Sequence, residues 1–288
     1  MDYLLVTLLQ LLTTIGNLAL ISLGLAVIFG MMRVINLAHG EFIMLGGFAA
    51  VFATQAGVNI WIAMLVVAPL AVGLLGFIIE RLVIRHLYGR MIDTMLATWG
   101  LSLLLIGCAT TFFGNRVVGI AAPTGGLRIG DYSIGSYDIV LLGIAIALYA
   151  GCAFLLMRTR AGLRARATMQ NREMAASLGI DPSRVYAVTF SLGAALSGLA
   201  GGLLAPVSGV VPTMGVAYVA KAFITVITGG ASPILGSAMS SGLLGIINST
   251  MNILVSPVMG DIALLLAATI FLRLMPTGIT GRFFKGKA

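Results

Sequence analysis

The chain has 288 residues, 59% of them hydrophobic and 9% charged, with a formal net charge of +8 and a mean hydropathy of +1.09. A soluble domain carries about a quarter charged residues, so these charges are too few to coat a water-facing surface, and a soluble globular fold is excluded. The basic residues fall in short segments between apolar runs, the ordinary bias of membrane chains, which sets aside nucleic acid as a partner.

A spanning helix needs about 20 mostly apolar residues. The N-terminal stretch "MDYLLVTLLQLLTTIGNLALISLGLAVIFG" has no basic flank and is too long for a signal core, so a retained first span is expected over 4–30. "MMRVINLAHGEF" follows, gathering Arg33, Asn36, His39, Gly40 and Glu41 between two apolar runs. It reads as an ordinary loop, a catalytic or metal cluster, or a break in the helix where something crosses. His-x-Glu brings no further ligands, which weighs against metal and enzyme readings.

Further spans are expected over 42–58, 60–79 and 94–113. The segment 80–90, "ERLVIRHLYGR", carries three arginines and is expected on the cytoplasmic side. Asp93 and Thr94 read as a helix N-cap with a charge that suits the helix dipole. Thr98 and Trp99 lie within the fourth span; Trp could give a polar cargo an apolar wall and an N–H donor, or simply pack. Cys108 and Cys152 sit in apolar runs without a CxxC pair and read as small core residues. The stretch 114–138 is rich in turn signals at Pro123, Gly125-Gly126, Gly130-Asp131 and Gly135, and its runs "LRI" and "YSI" suit a small hairpin on the outer side.

After a span at 137–157 comes the longest polar stretch, with Arg158, Arg160, Arg164, Arg166, Arg172 and Arg184. Residues 162–179 show helical logic: Leu163, Ala167, Met174 and Leu178 are apolar, and Gly179 can close the helix in the left-handed conformation. Asp181-Pro182 then opens the next helix. A short amphipathic cytoplasmic helix lies on lipid or docks into a partner's groove, and this one lacks the large aromatic anchors of surface helices.

Later spans are expected over 186–206, 217–230, 234–255 and 258–275, the seventh short enough to be a half-helix or re-entrant piece. Ala194, Gly198 and Gly202, and again Ser237, Ser241 and Gly245, place small residues on one helix face as packing seams. Ser197 and Ser241 have no His/Asp partner or nucleophile elbow in sequence, which leaves a catalytic reading without support. Lys221, about four residues into its span, reads as snorkelling to the outer interface. Asn248 and Asn252, one turn apart, suit hydrogen bonds to another helix. The tail adds Arg282, Lys285 and Lys287. The basic segments together put the N-terminus outside and the C-terminus inside. The fold expected is an all-α polytopic integral membrane protein of eight or nine transmembrane helices, with a short cytoplasmic helix and broken or re-entrant pieces. With no P-loop and no metalloprotease motif, energy for uphill transport has to come from another chain or an ion gradient.

The spacing R-x-G-x-x-x-R-A-x-x-x-N-x-x-x-A-x-x-x-G-I, carried by Arg160, Gly162, Arg166, Ala167, Asn171, Ala175, Gly179 and Ile180, resembles the coupling loop of ABC-importer permeases of the branched-chain amino acid family. "GLAVIFGMMRVINLAHGEFIMLGG", "TFSLGAALSGLAGGLLAP", "AFITVITGGASPILGS" and "LRLMPTGITGR" resemble the same family, specifically its LivH type. The resemblance implies one permease domain over 1–288, divided into spans at 1–157, a coupling segment at 158–185 and spans at 186–288. It implies a second related permease subunit, two ABC ATPase subunits holding ATP and Mg, a periplasmic binding protein, and a bacterial inner-membrane location within lipid, with no cofactor in this chain. It assigns ATPase coupling to those eight residues and Leu178. It favours a helix break beside the translocation path at Asn36, His39 and Glu41; Thr98 and Trp99 are further path candidates from their place in the fourth span alone. Leucine, isoleucine and valine are the implied cargo. "DTMLATWGLSL" and "RATMQN" resemble the urea-permease branch, so a urea or short-chain amide importer stays open, as does an ATP-independent channel or secondary carrier. In "GGASPILGS", Ala231 and Pro233 depart from the family's glycine pattern.

Overall fold

The computed structural model describes residues 2–130, 132–230 and 232–283. Each of the nine apolar runs forms a helix. The first four are α1 (Asp2–Met32), α2 (His39–Gln55), α3 (Ile60–Leu82) and α4 (Met91–Phe113). Strands β1 (Gly126–Ile129) and β2 (Tyr132–Gly135) follow, then α5 (Ser136–Arg158). Two short helices, α6 (Arg160–Gln170) and α7 (Arg172–Ser177), lead to α8 (Pro182–Ser208), α9 (Met214–Gly229), α10 (Pro233–Leu254), α11 (Pro257–Leu274) and α12 (Gly278–Phe283).

Seven of these helices are long and apolar enough to cross a membrane, against the eight or nine expected. The two that fall short are α2, with 17 residues, and α9, with 16. At ~1.5 Å per residue each reaches roughly 25 Å, less than a hydrocarbon core of about 30 Å.

The bundle is built around α8, which packs on α1, α2 and α3, while α1 also holds α10. The small-residue seam is the reason. A Cβ at Gly76 would collide with Ala194, one at Gly198 would lie 2.6 Å from Val72, and one at Gly202 would lie 3.0 Å from the Ala68 side chain. Backbones that close exchange dispersion contacts over their whole length, which substitutes for the missing hydrophobic drive in lipid. In α3, Pro69 cannot donate to the preceding turn, and a wide π turn at Ala63–Val67 stands just before it.

The hairpin expected from "LRI" and "YSI" forms, with Gly126 opposite Gly135 and Ile129 opposite Tyr132; Asp131 lies outside the described residues. Val118 and Val210 exchange two backbone hydrogen bonds at 3.0 and 2.7 Å, tying the segment before the hairpin to the chain beyond α8. Cys108 is exposed and Cys152 half-buried, so neither is the core residue expected: both lie on outward-facing helices. Lys285 and Lys287 lie outside the described residues.

Candidate functional site

Arg33 ends α1 with φ at 51°, the one positive-φ non-glycine among the described residues. Residues 33–38 then run without helix back along α1. His39 fixes their direction. Its Nε2 lies 2.7 Å from the carbonyl oxygen of Ile21, about 16 Å back from the Met32 end of α1 at ~1.5 Å per residue. The stretch is therefore a re-entry at membrane depth, and α2 starts there. Non-helical backbone at such depth is tolerated only where protein or a water-filled cavity satisfies its polar groups.

The polar residues of the stretch supply that satisfaction. Asn36 Oδ1 accepts the Ala38 N–H at 3.1 Å. Thr98, from α4, accepts the Leu37 N–H at 3.1 Å, and its hydroxyl lies 3.3 Å from the Ile35 carbonyl. A carbonyl can only accept, so His39 Nε2 carries the proton; in the neutral ring Nδ1 then accepts from the Ser197 hydroxyl at 3.1 Å. Sequence reasoning denied Ser197 a histidine partner because the two lie far apart in the chain. The structure brings them together, both fully buried. His39 thereby ties α1, α2 and α8, and with its second nitrogen held by the Ile21 carbonyl, the pair acts as a staple.

Glu41 is the exception to this satisfaction. It is only 1% exposed, and neither carboxylate oxygen makes a well-formed hydrogen bond among the described residues, although the Ser102 side chain of α4 and its own backbone N–H stand beside it; Asn36 Nδ2 has no partner among the described residues. Glu41 lies in the first turn of α2, where a negative charge suits the helix dipole. It also abuts the start of α9, since a Cβ on Gly215 would lie 2.9 Å from Glu41 Oε1. Gly40 and Gly215 meet backbone to backbone, with no room for a Cβ on Gly40. The two short helices thus bring their N-termini together inside the bundle. An ionisable residue at such a place marks function by default, because leaving it uncompensated costs several kcal/mol.

At its other end α9 stops at Gly229 and Gly230, the latter at φ 83°. Thr280 of α12 donates to the Gly229 carbonyl at 2.6 Å and accepts the Ser232 N–H at 3.0 Å. Pro233 opens α10; Ala231 lies outside the described residues.

Asn36, His39, Glu41 and Thr98 therefore share one break. Trp99 does not join them: one residue beyond Thr98, it faces outward with 56% exposure. Asp93 is not an N-cap, because α4 begins earlier, at Met91; Asp93 instead pairs with Arg90 at 2.7 Å. Lys221 lies two turns into α9 and pairs with Asp261 of α11 at 2.8 Å, rather than merely snorkelling. Asn248 donates to the same carboxylate at 3.1 Å. Among the described residues no three His, Cys, Asp or Glu side chains gather to hold a metal.

The segment expected as one helix over 162–179 is two. Asn171 leaves helical geometry at φ −152°, ψ 106°, and its side chain accepts the Met174 N–H, starting α7. Gly162 packs on the backbone of Leu155 and Leu156. The inward face consists of Gly162, Ala165, Thr168 and Ala175. Leu163, Met174 and Leu178, read from sequence as an apolar face, are exposed, as are Arg160, Arg166 and Asn171. Ala167 and Ile180 are half-buried, and Gly179 takes φ 82°. The Arg172 guanidinium lies 5.8 Å from the rings of both Tyr88 and Tyr186. Tyr88 donates to Glu80; burial first, then that carboxylate, push its phenol well above the ordinary value. This cluster joins α7 to α3 and α8.

The family described as "branched-chain amino acid transport system / permease component" matches residues 7–275. The chain is similar to the high-affinity branched-chain amino acid transport permease LivH of Escherichia coli K12, at 29% identity over 92% of this chain and 91% of that one. It is similar to BraD of Pseudomonas aeruginosa at 29% identity, covering 93% of each. The solved structure of PsaBC from Streptococcus pneumoniae in complex with Fab shares the fold, with a TM-score of 0.52 and 17% identity over 98% of this chain and 95% of that one.

Proposed function

The chain belongs to the branched-chain amino acid transport permease family, and we propose that it is the membrane subunit of an ABC importer that passes branched-chain amino acids inward. Its path runs beside the meeting of α2 and α9. The observation that carries this reading is the contact of Gly40 with Gly215 next to Glu41. Two helices too short to cross meet inside the bundle, beside a buried carboxylate that makes no well-formed hydrogen bond among the described residues. Broken helices of this kind put helix ends and free backbone groups where a polar cargo can reach them. Neither α2 nor α9 crosses the membrane alone in this reading.

The exposed Leu163, Met174 and Leu178, ringed by arginines, form the surface that a soluble ATPase subunit takes up. Gly179 and the Arg172–Tyr88–Tyr186 cluster pass its movement to α8 and α3. ATP and Mg belong to two such subunits. A second related permease completes the membrane part, giving a heterodimer, and a periplasmic binding protein delivers cargo from the outer side. The N-terminus is outside and the C-terminus inside the bacterial inner membrane. Trp99, one of the residues in the two stretches that carry the urea resemblance, faces away from the break with 56% exposure, which weakens its support for that cargo.

Purification from native membranes tests the assembly. Tagged chain is expected to bring down an ATPase subunit, and leucine uptake is expected to stop in ATP-depleted vesicles. Persistent uptake without ATP and without an ATPase partner would make the chain a channel or secondary carrier.

A further inference from the structure

A second polar feature borders the break at Ile21 and extends towards the end of the bundle that holds Ser208, the last residue of α8. A cavity of about 220 Å³ opens between α1, α8, α9, α10 and α11. Lys221, Asn248, Asn252 and Asn17 line it together with Leu18 and Leu264. Lys221 is paired at 2.8 Å with Asp261, which stands beside the cavity rather than in its lining; the two side chains are 29% and 47% exposed. Asn17 Oδ1 is buried and has no hydrogen-bond partner among the described residues. A polar cavity with an orphaned acceptor and an openable ion pair is more than helix packing needs.

We propose that this cavity binds the cargo as a zwitterion, with its carboxylate on Lys221, its ammonium on Asp261, and its apolar side chain towards Leu18 and Leu264. The physical reason is charge balance. Opening this half-buried ion pair leaves a cation and an anion each without a partner. A zwitterion that inserts between the partners replaces each lost contact with one of the same sign, so both states stay neutral. An amine, a carboxylate or a neutral amide leaves at least one charge unpaired. The Asn17 oxygen offers an acceptor for a remaining ammonium proton. The volume lies below the roughly 300–1,000 Å³ of drug-sized sites, which suits a small solute. The inference rests on the amino-acid reading above and names the site where that cargo first meets charge.

The experiment has two arms, both with the full chain and the subunits that co-purify with it. Uptake of radiolabelled leucine by cells lacking their own leucine transport tests the amino-acid reading; no uptake by the wild type overturns that reading and this site with it. Binding of radiolabelled leucine to the purified membrane complex, free of any soluble binding protein, tests the site. Lys221→Met and Asp261→Asn are each expected to weaken binding at least tenfold. The double exchange Lys221→Asp with Asp261→Lys keeps an ion pair but reverses it, and is expected to stay at least tenfold weaker. Binding restored to within twofold by the exchange would make the pair purely structural. Should the exchange fail to assemble, Asn252→Leu, which leaves the pair intact, decides: about tenfold weaker binding supports the site, and unchanged binding overturns it. Wild-type uptake without measurable binding also overturns it.

Discussion

Nε2 of His39 donates to the carbonyl oxygen of Ile21 at 2.7 Å, and this bond marks the depth at which α2 begins. His39→Ala removes it together with the Ser197 bond and leaves a gap where three helices meet. Lost hydrogen bonds to buried groups and the new cavity together cost about 2–4 kcal/mol. Thermal unfolding in detergent is expected to fall clearly. Ser197→Ala is expected to cost about 1 kcal/mol or less, because the single hydroxyl proton is shared between His39 Nδ1 and the Gly193 carbonyl and the bond to His39 is the longer of the two. Equal losses for the two variants would contradict the staple.

Thr98 and its neighbour Trp99 should behave in opposite ways. Thr98→Val keeps the shape but removes the acceptor of the Leu37 N–H, stranding a buried donor at a cost of roughly 1–3 kcal/mol. Leucine uptake is expected to drop severalfold. Trp99→Ala changes only an outward face and is expected to keep uptake within twofold. The reverse order would place the path along the outward side of α4.

Gly179 at φ 82° penalises any side chain, a β-branched one most of all; the left-handed conformation costs about 1–2 kcal/mol. Gly179→Val is expected to lower cargo-stimulated ATPase activity at least fivefold while membrane insertion stays normal. Normal stimulation would detach α7 from coupling.

The Arg172 cluster carries a separable prediction. Arg172→Ala removes cation–π contacts worth about 0.5–1 kcal/mol each at partly exposed sites. Tyr88→Phe leaves the Glu80 carboxylate without its phenol donor and costs about 1–3 kcal/mol. Thermal unfolding is expected to rank Tyr88→Phe as the more damaging; the opposite rank would contradict the cluster.

Much of this fold was legible because hydropathy and turn chemistry are local. Each apolar run became a helix, the "LRI" and "YSI" pair became a hairpin, and the four-residue spacing of Ala194, Gly198 and Gly202 became the seam of α8 with α3. The site was only half legible. Arg33, Asn36, His39 and Glu41 announced a break by polarity alone, but its depth depends on His39 reaching Ile21 and Ser197, contacts that no window of sequence contains. For the same reason Lys221 read as an isolated charge until Asp261 was placed beside it. Asn171 offered a signal that was missed: an asparagine before Arg-Glu is a capping residue, and it divides the helix expected over 162–179 in two. The outward turn of Leu163, Met174 and Leu178 fits a helix that offers its apolar residues to lipid or a partner, and Gly162 and Ala165 let the segment approach the bundle with its small face.

The most direct test of the path is ATP-dependent uptake of radiolabelled leucine by wild type and Gly40→Val, compared at equal membrane levels and equal co-purification of the ATPase subunit. Any side chain at Gly40 drives α2 away from Gly215. Uptake by the variant is expected to fall at least tenfold while the assembly survives. Uptake equal to wild type would show that the meeting of α2 and α9 is not part of the path.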